Sequence, residues 1–488
     1  MNKQLHRTTL QTIARRAMIE RGLLPDFPES VMSEVNRIAS PASYNLASAK
    51  DLRHLLWCSV DNAESRDLDQ LSYAEKLADG AVRLMVAIAD VDELVHQQTM
   101  TDQHAQQNAA SIYTVAQIFP MLPERLSTDL TSLRLDADRC AVVVEMVVEA
   151  KGSVKSSDIY CAMVRNCAKL DYDSLAVWLA GDAPTPAAVL QIEGLADNIK
   201  LQDHVAQQMK SLRFENGALN FETIESRPVF DGNHLREIQA ERNNRAKSLI
   251  ENLMIATNVA TSQFLNQKQF PAIRRVVKTP KRWERIVELA TEDGFELSLV
   301  ANPKALSNYL KHVKDTMPDQ YVDKSLSVLK LLGAGEYVVE YPNSEPLGHF
   351  GLGVKSYSHS TAPNRRYPDL ITHRLLKSAM VNQANPYSED QLVAIARHCT
   401  RKEDDAKKVE RMVEKAANAI LLSSRIGEVF DAIVSGAASK GTWVRLFHPH
   451  VEGKLVKGFA GLEVGHKLKV RLIHVDVEAG FIDFEKVN

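Results

Sequence analysis

Three carboxylates in one short stretch are the residues best suited to chemistry in this 488-residue chain. Asp61, Asp67 and Asp69 lie in Asp61-Asn62-Ala63-Glu64-Ser65-Arg66-Asp67-Leu68-Asp69-Gln70, directly after the apolar run LLWCSV. Asp67 and Asp69 are two residues apart, so in extended backbone they share a face. Asp61 sits at the strand end, where a loop can fold back toward it. Converging carboxylates repel unless a cation neutralises them. Hard oxygen donors of this kind suit Mg²⁺ or Mn²⁺, with waters and a substrate phosphate completing the shell. Two such metals about 3.5–4 Å apart hydrolyse phosphodiesters. The spacing is not that of an EF-hand, and a solvated acidic loop is the competing reading. A second cluster, Ala362-Pro363-Asn364-Arg365-Arg366-Tyr367-Pro368-Asp369, places two arginines where a helix begins. Guanidinium forks near a helix N-terminus suit a phosphate. A surface ion pair, Arg366 with Asp369, is the plainer alternative.

The elements that must position these groups follow from the pattern. Residues 1–50 read as short helices broken by Gly22, Pro25, Pro28 and Pro41. Residues 53–170 carry β-branched runs, VRLMVAIADV and AVVVEMVVEA among them, that predict strands. From Tyr172 to about Lys330 the period turns helical, and helices resume over 364–382 and 388–424. The last 60 or so residues hold five short alternating runs, which suggests a small barrel of the OB type.

Composition bounds the rest. With 45% hydrophobic and 25% charged residues the chain is an ordinary globular one. No run approaches a membrane span. Five dispersed cysteines without a CxxC pair argue against a zinc site or a disulfide framework and for a reducing, cytoplasmic compartment. The net charge is −3, which excludes a uniformly basic nucleic-acid binder but not a local basic channel. Residues 51–150 hold 17 acids and 7 bases, whereas Pro271–Arg285 hold six bases and one acid. Cations held in the first block and phosphates in the second would fit that division.

The two clusters, taken with what lies between them, resemble the RNB catalytic domain of ribonuclease II and ribonuclease R. VDNAESRDLDQ, ASIYTVAQIFPMLPERLSTDLTSL, NCAKLDYDSL, LIENLMIATN, HFGLGVKSYSHSTAPNRRYPDLITHRLL and KKVERMV follow in the family order over roughly residues 50–420. The resemblance implies an α+β fold: a large RNB domain over 51–425, with a mixed sheet and helices around an RNA channel. A small helical cap, helix-turn-helix-like, would occupy 1–50, and an OB-fold barrel 426–488. It implies a metal-dependent hydrolytic 3′→5′ exoribonuclease that releases nucleoside 5′-monophosphates from single-stranded RNA, with Mg²⁺ as cofactor and Mn²⁺ as the alternative. Asp61, Asp67 and Asp69 become metal ligands. Arg365 falls on the arginine that grips the scissile phosphate, and Arg366 on a neighbouring RNA-holding residue. Tyr113 matches the tyrosine that clamps the terminal base and Tyr172 a second active-site tyrosine, while Glu251 and Glu410 match RNA-positioning glutamates.

One departure matters. The family carries a fourth Asp where this chain has Gln70, whose amide oxygen is a weaker metal ligand. An RNA-binding protein of reduced or lost turnover is therefore the alternative function. In the barrel, Trp443 is the candidate base-stacking residue, with Lys440, Arg445, Lys454 and Lys457 as backbone contacts and Phe430 and Phe481 as core. Recruitment of RNA is expected to draw on this barrel and on the Arg274–Arg285 segment. Neither a membrane nor an obligate protein partner is indicated.

Overall fold

In the computed structural model the β-branched runs form a seven-stranded mixed sheet. The structure describes residues 6–221, 225–241, 243–438 and 441–487, so Lys440 lies outside the described residues. In spatial order the strands are Lys50–Asp51, Val154–Arg165, Asp138–Val148, Val82–Ala89, Gln70–Lys76, Cys58–Asp61 and Ala168–Asp171. The central strands are buried almost throughout, as their continuous apolar runs require. The acidic stretch does not stay irregular to its end: Gln70 opens a strand, pairing with Ile88. Asp61 ends the strand next to the edge strand Ala168–Asp171, in parallel register with Asp171.

The region read as helical from Tyr172 contains, in addition, a hairpin of strands Glu225–Asp231 and His234–Glu241. Its two-residue turn is Gly232-Asn233, following Asp231. Gly232 takes φ 58°, which the tight turn needs and glycine supplies without strain. Helices Trp283–Glu292, Pro303–Thr316 and Tyr321–Leu332 then close their own small core around Trp283, Ile286, Tyr309 and Val313.

Two helices, His6–Glu20 and Glu29–Asn36, precede the sheet. The first buries Leu10, Ile13, Ala14 and Ala17, the i, i+3, i+4, i+7 stripe of an amphipathic helix. That stripe packs on Val409, Val413, Ala416 and Ala417 of the 34-residue helix Glu389–Leu422. Ile112 and Phe119 share this cluster, so the first helix also braces the short hairpin that carries Tyr113. Gly22, at φ 64°, ends the helix, with Leu23 N–H returning to the Met18 carbonyl. No helix among the described residues is long and apolar enough to cross a membrane.

The second helix abuts Met100–Asn108, where His104 lies under the Phe27 ring at 4% exposure. Burial lowers the His104 pKa to about 4. The folded state then binds fewer protons than the unfolded chain between pH 4 and 6.5, so this stability is present above 6.5 and is lost as the pH falls. The linkage amounts to about 2 kcal/mol at pH 5. Denaturant titrations at pH 7 and pH 5 are expected to show that loss, and His104→Gln to remove the pH-dependent part.

The final segment closes into a five-stranded barrel, in the order Val429–Ala438, Gly441–Leu446, Glu452–Lys457, Phe481–Val487, Lys467–Asp476. Its core takes Phe430 and Phe484, whereas Phe481 is 60% exposed, contrary to the core placement expected for it. Strand alternation explains this: Ile482 and Phe484 point inward, so Phe481 points out.

Arg445 is not free to track RNA. It pairs at 2.9 Å with Asp323 of helix Tyr321–Leu332, an aspartate only 4% exposed. Burial raises the Asp323 pKa and Arg445 opposes it. Removing Arg445 strands a buried carboxylate, a loss of about 3 kcal/mol. Arg445→Met is therefore expected to lower the denaturation midpoint and to speed protease release of the barrel.

The basic segment is corrected in part. Arg274, 2% exposed, donates to Glu340, Ser358 and the Ser262 carbonyl, and Arg275 donates two parallel hydrogen bonds to Glu403. Lys278 pairs with Glu336 and Arg285 with Glu288. Arg274 and Arg275 are thus internal struts and not part of an RNA-recruiting surface, while Lys278, Lys281, Arg282 and Arg285 stay exposed.

Candidate active site

The acidic loop and the arginine turn meet at the ends of the central strands. Leu68 N–H donates to Ser132 Oγ, Ser132 Oγ donates to the Arg66 carbonyl, and Leu133 N–H donates to the Leu68 carbonyl. These bonds hold the loop extended through Leu68, so that Asp67 and Asp69 fall on one side. Opposite it, Ala110 bridges Arg366, Ser111 N–H reaches the Arg365 carbonyl and Tyr367 N–H the Ala109 carbonyl. The Tyr113 segment and the arginine turn are thereby one backbone unit.

Asp69 is 1% exposed. It accepts Arg365 Nε at 3.0 Å and the Asn364 N–H at 3.2 Å. Burial pushes its pKa up to about 7; Arg365 pulls down and the Asp67 charge pushes up. Burial raises Asp67 too, with Arg365 opposing and Asp61 adding to the rise. Burial works against the Arg365 charge, but Asp69 outweighs it and keeps the guanidinium firmly protonated. Asp61 accepts Ser65 Oγ at 2.8 Å and the Asn62 N–H at 2.7 Å. The Tyr113 hydroxyl lies against Asp67 and Arg365 while the residue remains 41% exposed. Its N–H donates to Glu410 Oε1 at 3.0 Å, which fixes the hairpin to the long helix. Tyr172 is the first residue of helix Tyr172–Ala180; burial raises its phenol, with Asp61 adding and Arg365 opposing.

The structure thus gathers Asp61, Asp67, Asp69, Arg365, Tyr113 and Tyr172, with Glu410 beside them. Other residues named from the sequence stand apart. Arg366, its side chain 28% exposed, donates to Asp369 at 2.8 Å, and Asp369 is fully buried, so the pair is half-buried and not a surface ion pair. Glu251 is exposed, and its charge faces Arg213. Gln70 is buried at the start of its strand, and no hydrogen bond among the described residues joins it to the carboxylates. Trp443 is half-buried on the outer side of the barrel, its ring over Gly436. Among the described residues no group of three or more His, Cys, Asp or Glu side chains is placed to hold a metal ion.

Several supporting residues escaped the sequence reading. Asn364 places its main-chain N–H on Asp69 while its side chain accepts from Thr131. Arg374, 4% exposed, ties Asp92, Asp102, Tyr387 and the Val95 carbonyl. It anchors helix Tyr367–Met380, whose start carries the two arginines. These partners are 13 to 282 positions away in the chain, so only the fold could pair them.

A protein-family model for the RNB domain matches residues 49–382. This chain belongs to the RNB family. A second model, the RNase II-type exonuclease C-terminal S1 domain, matches residues 428–487 of this RNB chain. Ribonuclease R of Vibrio cholerae is 30% identical over 476 residues, covering 90% of this chain and 57% of its own. Ribonuclease R of Escherichia coli is 30% identical over 445 residues, covering 88% and 53%. The RNB chain therefore spans a little over half the length of these curated relatives. Among solved structures, Mycoplasma genitalium RNase R in complex with ribose-methylated single-stranded RNA superposes with a TM-score of 0.88 at 24% identity, covering 98% of this chain and 78% of that one. Yeast Ssd1, a pseudonuclease, superposes at 0.72 with 14% identity over 91% of this chain and 55% of that one. Both likenesses are of fold.

Proposed function

We propose that this chain is a metal-dependent hydrolytic 3′→5′ exoribonuclease that degrades single-stranded RNA to nucleoside 5′-monophosphates. The observation that carries the reading is Arg365 held by buried Asp69, amid Asp61 and Asp67 and beside the open ring of Tyr113. The relatives named ribonuclease R, and the solved RNase R bound to single-stranded RNA, support it.

Asp61, Asp67 and Asp69 are the oxygen donors for Mg²⁺ or Mn²⁺, with Gln70 as a fourth, neutral one. The donor chemistry fits. Asp69, with a pKa near 7, lacks the positive charge that a divalent cation brings. An open set, completed by waters and a substrate phosphate, is the usual form for such ions. When bound, the metal supplies an activated water and neutralises the leaving oxygen.

The remaining roles belong to the chain. Asp69 aims the Arg365 fork, whose Nη ends bond the scissile phosphate and oppose the charge that builds there. Tyr113 stacks on the terminal base, and Glu410 fixes that tyrosine through its backbone. Tyr172 flanks the site next to Asp61. Arg366 and Glu251 line the RNA path, and Trp443 offers a further stacking surface on the barrel. The cytoplasm is the setting that suits the free thiols of Cys58, Cys140, Cys161, Cys167 and Cys399.

The test is a product ladder from 3′- and 5′-labelled RNA in Mg²⁺ and in Mn²⁺. Mononucleotides released progressively from the 3′ end are the expected result; internal cleavage, or equal attack on DNA, overturns the reading. The alternative, an RNA binder without turnover, is motivated by Gln70, while Asp61, Asp67, Asp69 and Arg365 are all present. Gln70→Asp separates the two. It is expected to lower the metal concentration for half-maximal turnover by roughly tenfold, whereas a gain from zero activity favours the alternative.

A further inference from the structure

The loop that carries the three carboxylates has a second concave side. Behind it lies an open cavity of about 590 Å³, within the range of small-ligand sites. Its walls are Ser65, Arg66 and Leu68 from the loop, helix Arg125–Leu130, and Arg134, Leu135 and Lys169.

Four cations line this cavity against two acids, Glu124 and Asp129. The excess is notable because the surrounding stretch, residues 51–150, has more than twice as many acids as bases. The partners of the cations are largely uncharged. Arg125 donates to the main-chain carbonyls of Asn36 and Ile38. Lys169 Nζ donates to the Ala63 carbonyl at 2.8 Å. Arg134 pairs with Asp129. Arg66 is exposed, and while its carbonyl accepts from Ser132, its guanidinium makes no hydrogen bond or ion pair with the described residues. A carbonyl satisfies a donor without cancelling its charge, so the cavity keeps a net demand for an anion. Leu135, 48% exposed, adds an apolar surface against which a sugar or base can rest.

The loop is a wall common to both sides. Ser65 lines the cavity while its Oγ donates to Asp61, and Lys169 holds the Ala63 carbonyl four and six residues before Asp67 and Asp69. A nucleoside 5′-monophosphate leaving the carboxylate cluster carries a dianionic phosphate above its second pKa of about 6. It leaves a site built of carboxylates, which repel it once hydrolysis has freed that charge.

We propose that this cavity is a phosphomonoester subsite that takes the released nucleoside 5′-monophosphate, with Arg66, Arg134 and Lys169 on the phosphate and Leu135 against the nucleoside. The identity of the anion as the released nucleotide rests on the exoribonuclease reading; the demand for an anion does not.

The experiment is equilibrium binding without turnover. The full chain carrying Arg365→Ala, which removes the candidate phosphate ligand at the carboxylates, is titrated calorimetrically with adenosine 5′-monophosphate, adenosine and inorganic phosphate in metal-free buffer. Expected is binding of the nucleotide, weaker binding of phosphate and still weaker binding of adenosine. Adding Arg66→Gln and Arg134→Gln, both exposed positions, should weaken the nucleotide at least tenfold. Absence of nucleotide binding, binding unchanged by the two substitutions, or inorganic phosphate binding more tightly than the nucleotide overturns the proposal. Failure of the exoribonuclease reading shows separately, in the product ladder.

Discussion

Asp69→Asn is expected to reduce RNA turnover by ~10³-fold or more while leaving RNA binding intact. Two losses coincide in this one change. The substitution removes a negative charge from the oxygen donors, and it removes the carboxylate that accepts Arg365 Nε at 3.0 Å. It is nearly isosteric, so the buried pocket at 1% exposure keeps its packing. It also removes a carboxylate from the neighbourhood of the bound phosphate, so affinity for RNA should hold or rise. Single-turnover degradation and filter binding on the same preparation separate the two effects. Turnover at the unsubstituted rate would show that the carboxylate cluster is not the metal site.

Arg365→Lys is the second large effect, an expected fall in kcat of ~10²–10³-fold with a much smaller change in KM. Lysine keeps a positive charge but offers a single ammonium in place of a planar fork. It cannot hold Asp69 through one nitrogen while two others face a phosphate. Asp69 is pulled down by Arg365 against the upward push of burial, so a poorer partner leaves that carboxyl still higher. The split between kcat and KM is the informative readout, because a residue that only recruits RNA would change KM. Equal losses in both would reassign Arg365 to binding.

The acidic and arginine clusters were legible because their chemistry is local. Asp67 and Asp69 share a face through strand period alone, and a proline-flanked arginine pair marks a helix start wherever it occurs. The long helices and the five barrel strands were legible for the same reason, since their apolar periods repeat over many residues. The hairpin after Glu225 was hidden because it interrupts a helical stretch. Arg274 and Arg275 misled because a run of bases reads alike whether it faces solvent or carboxylates. Arg274 and Arg275 find Glu340 and Glu403, 66 and 128 positions away. Arg445 likewise reads as a nucleic-acid contact until the barrel is docked and Asp323 meets it.

What the sequence determined by itself, then, is the chemical inventory: three carboxylates, two arginines, a set of tyrosines, and elements whose periods fix which side each presents. Order along the chain also carried the family. Only the tertiary structure decided how these groups are charged and which of them are available. Asp69 has a pKa near 7 because folding buries it beside Asp67, and Arg365 stays charged because folding seats it on Asp69. Arg366 is tied on one side to a fully buried Asp369, and Arg274 and Arg275 were turned into struts. The physical reason is common to all of them. Desolvation and pairing depend on distances between residues remote in sequence, and those distances exist only once the sheet, the long helix and the barrel have packed.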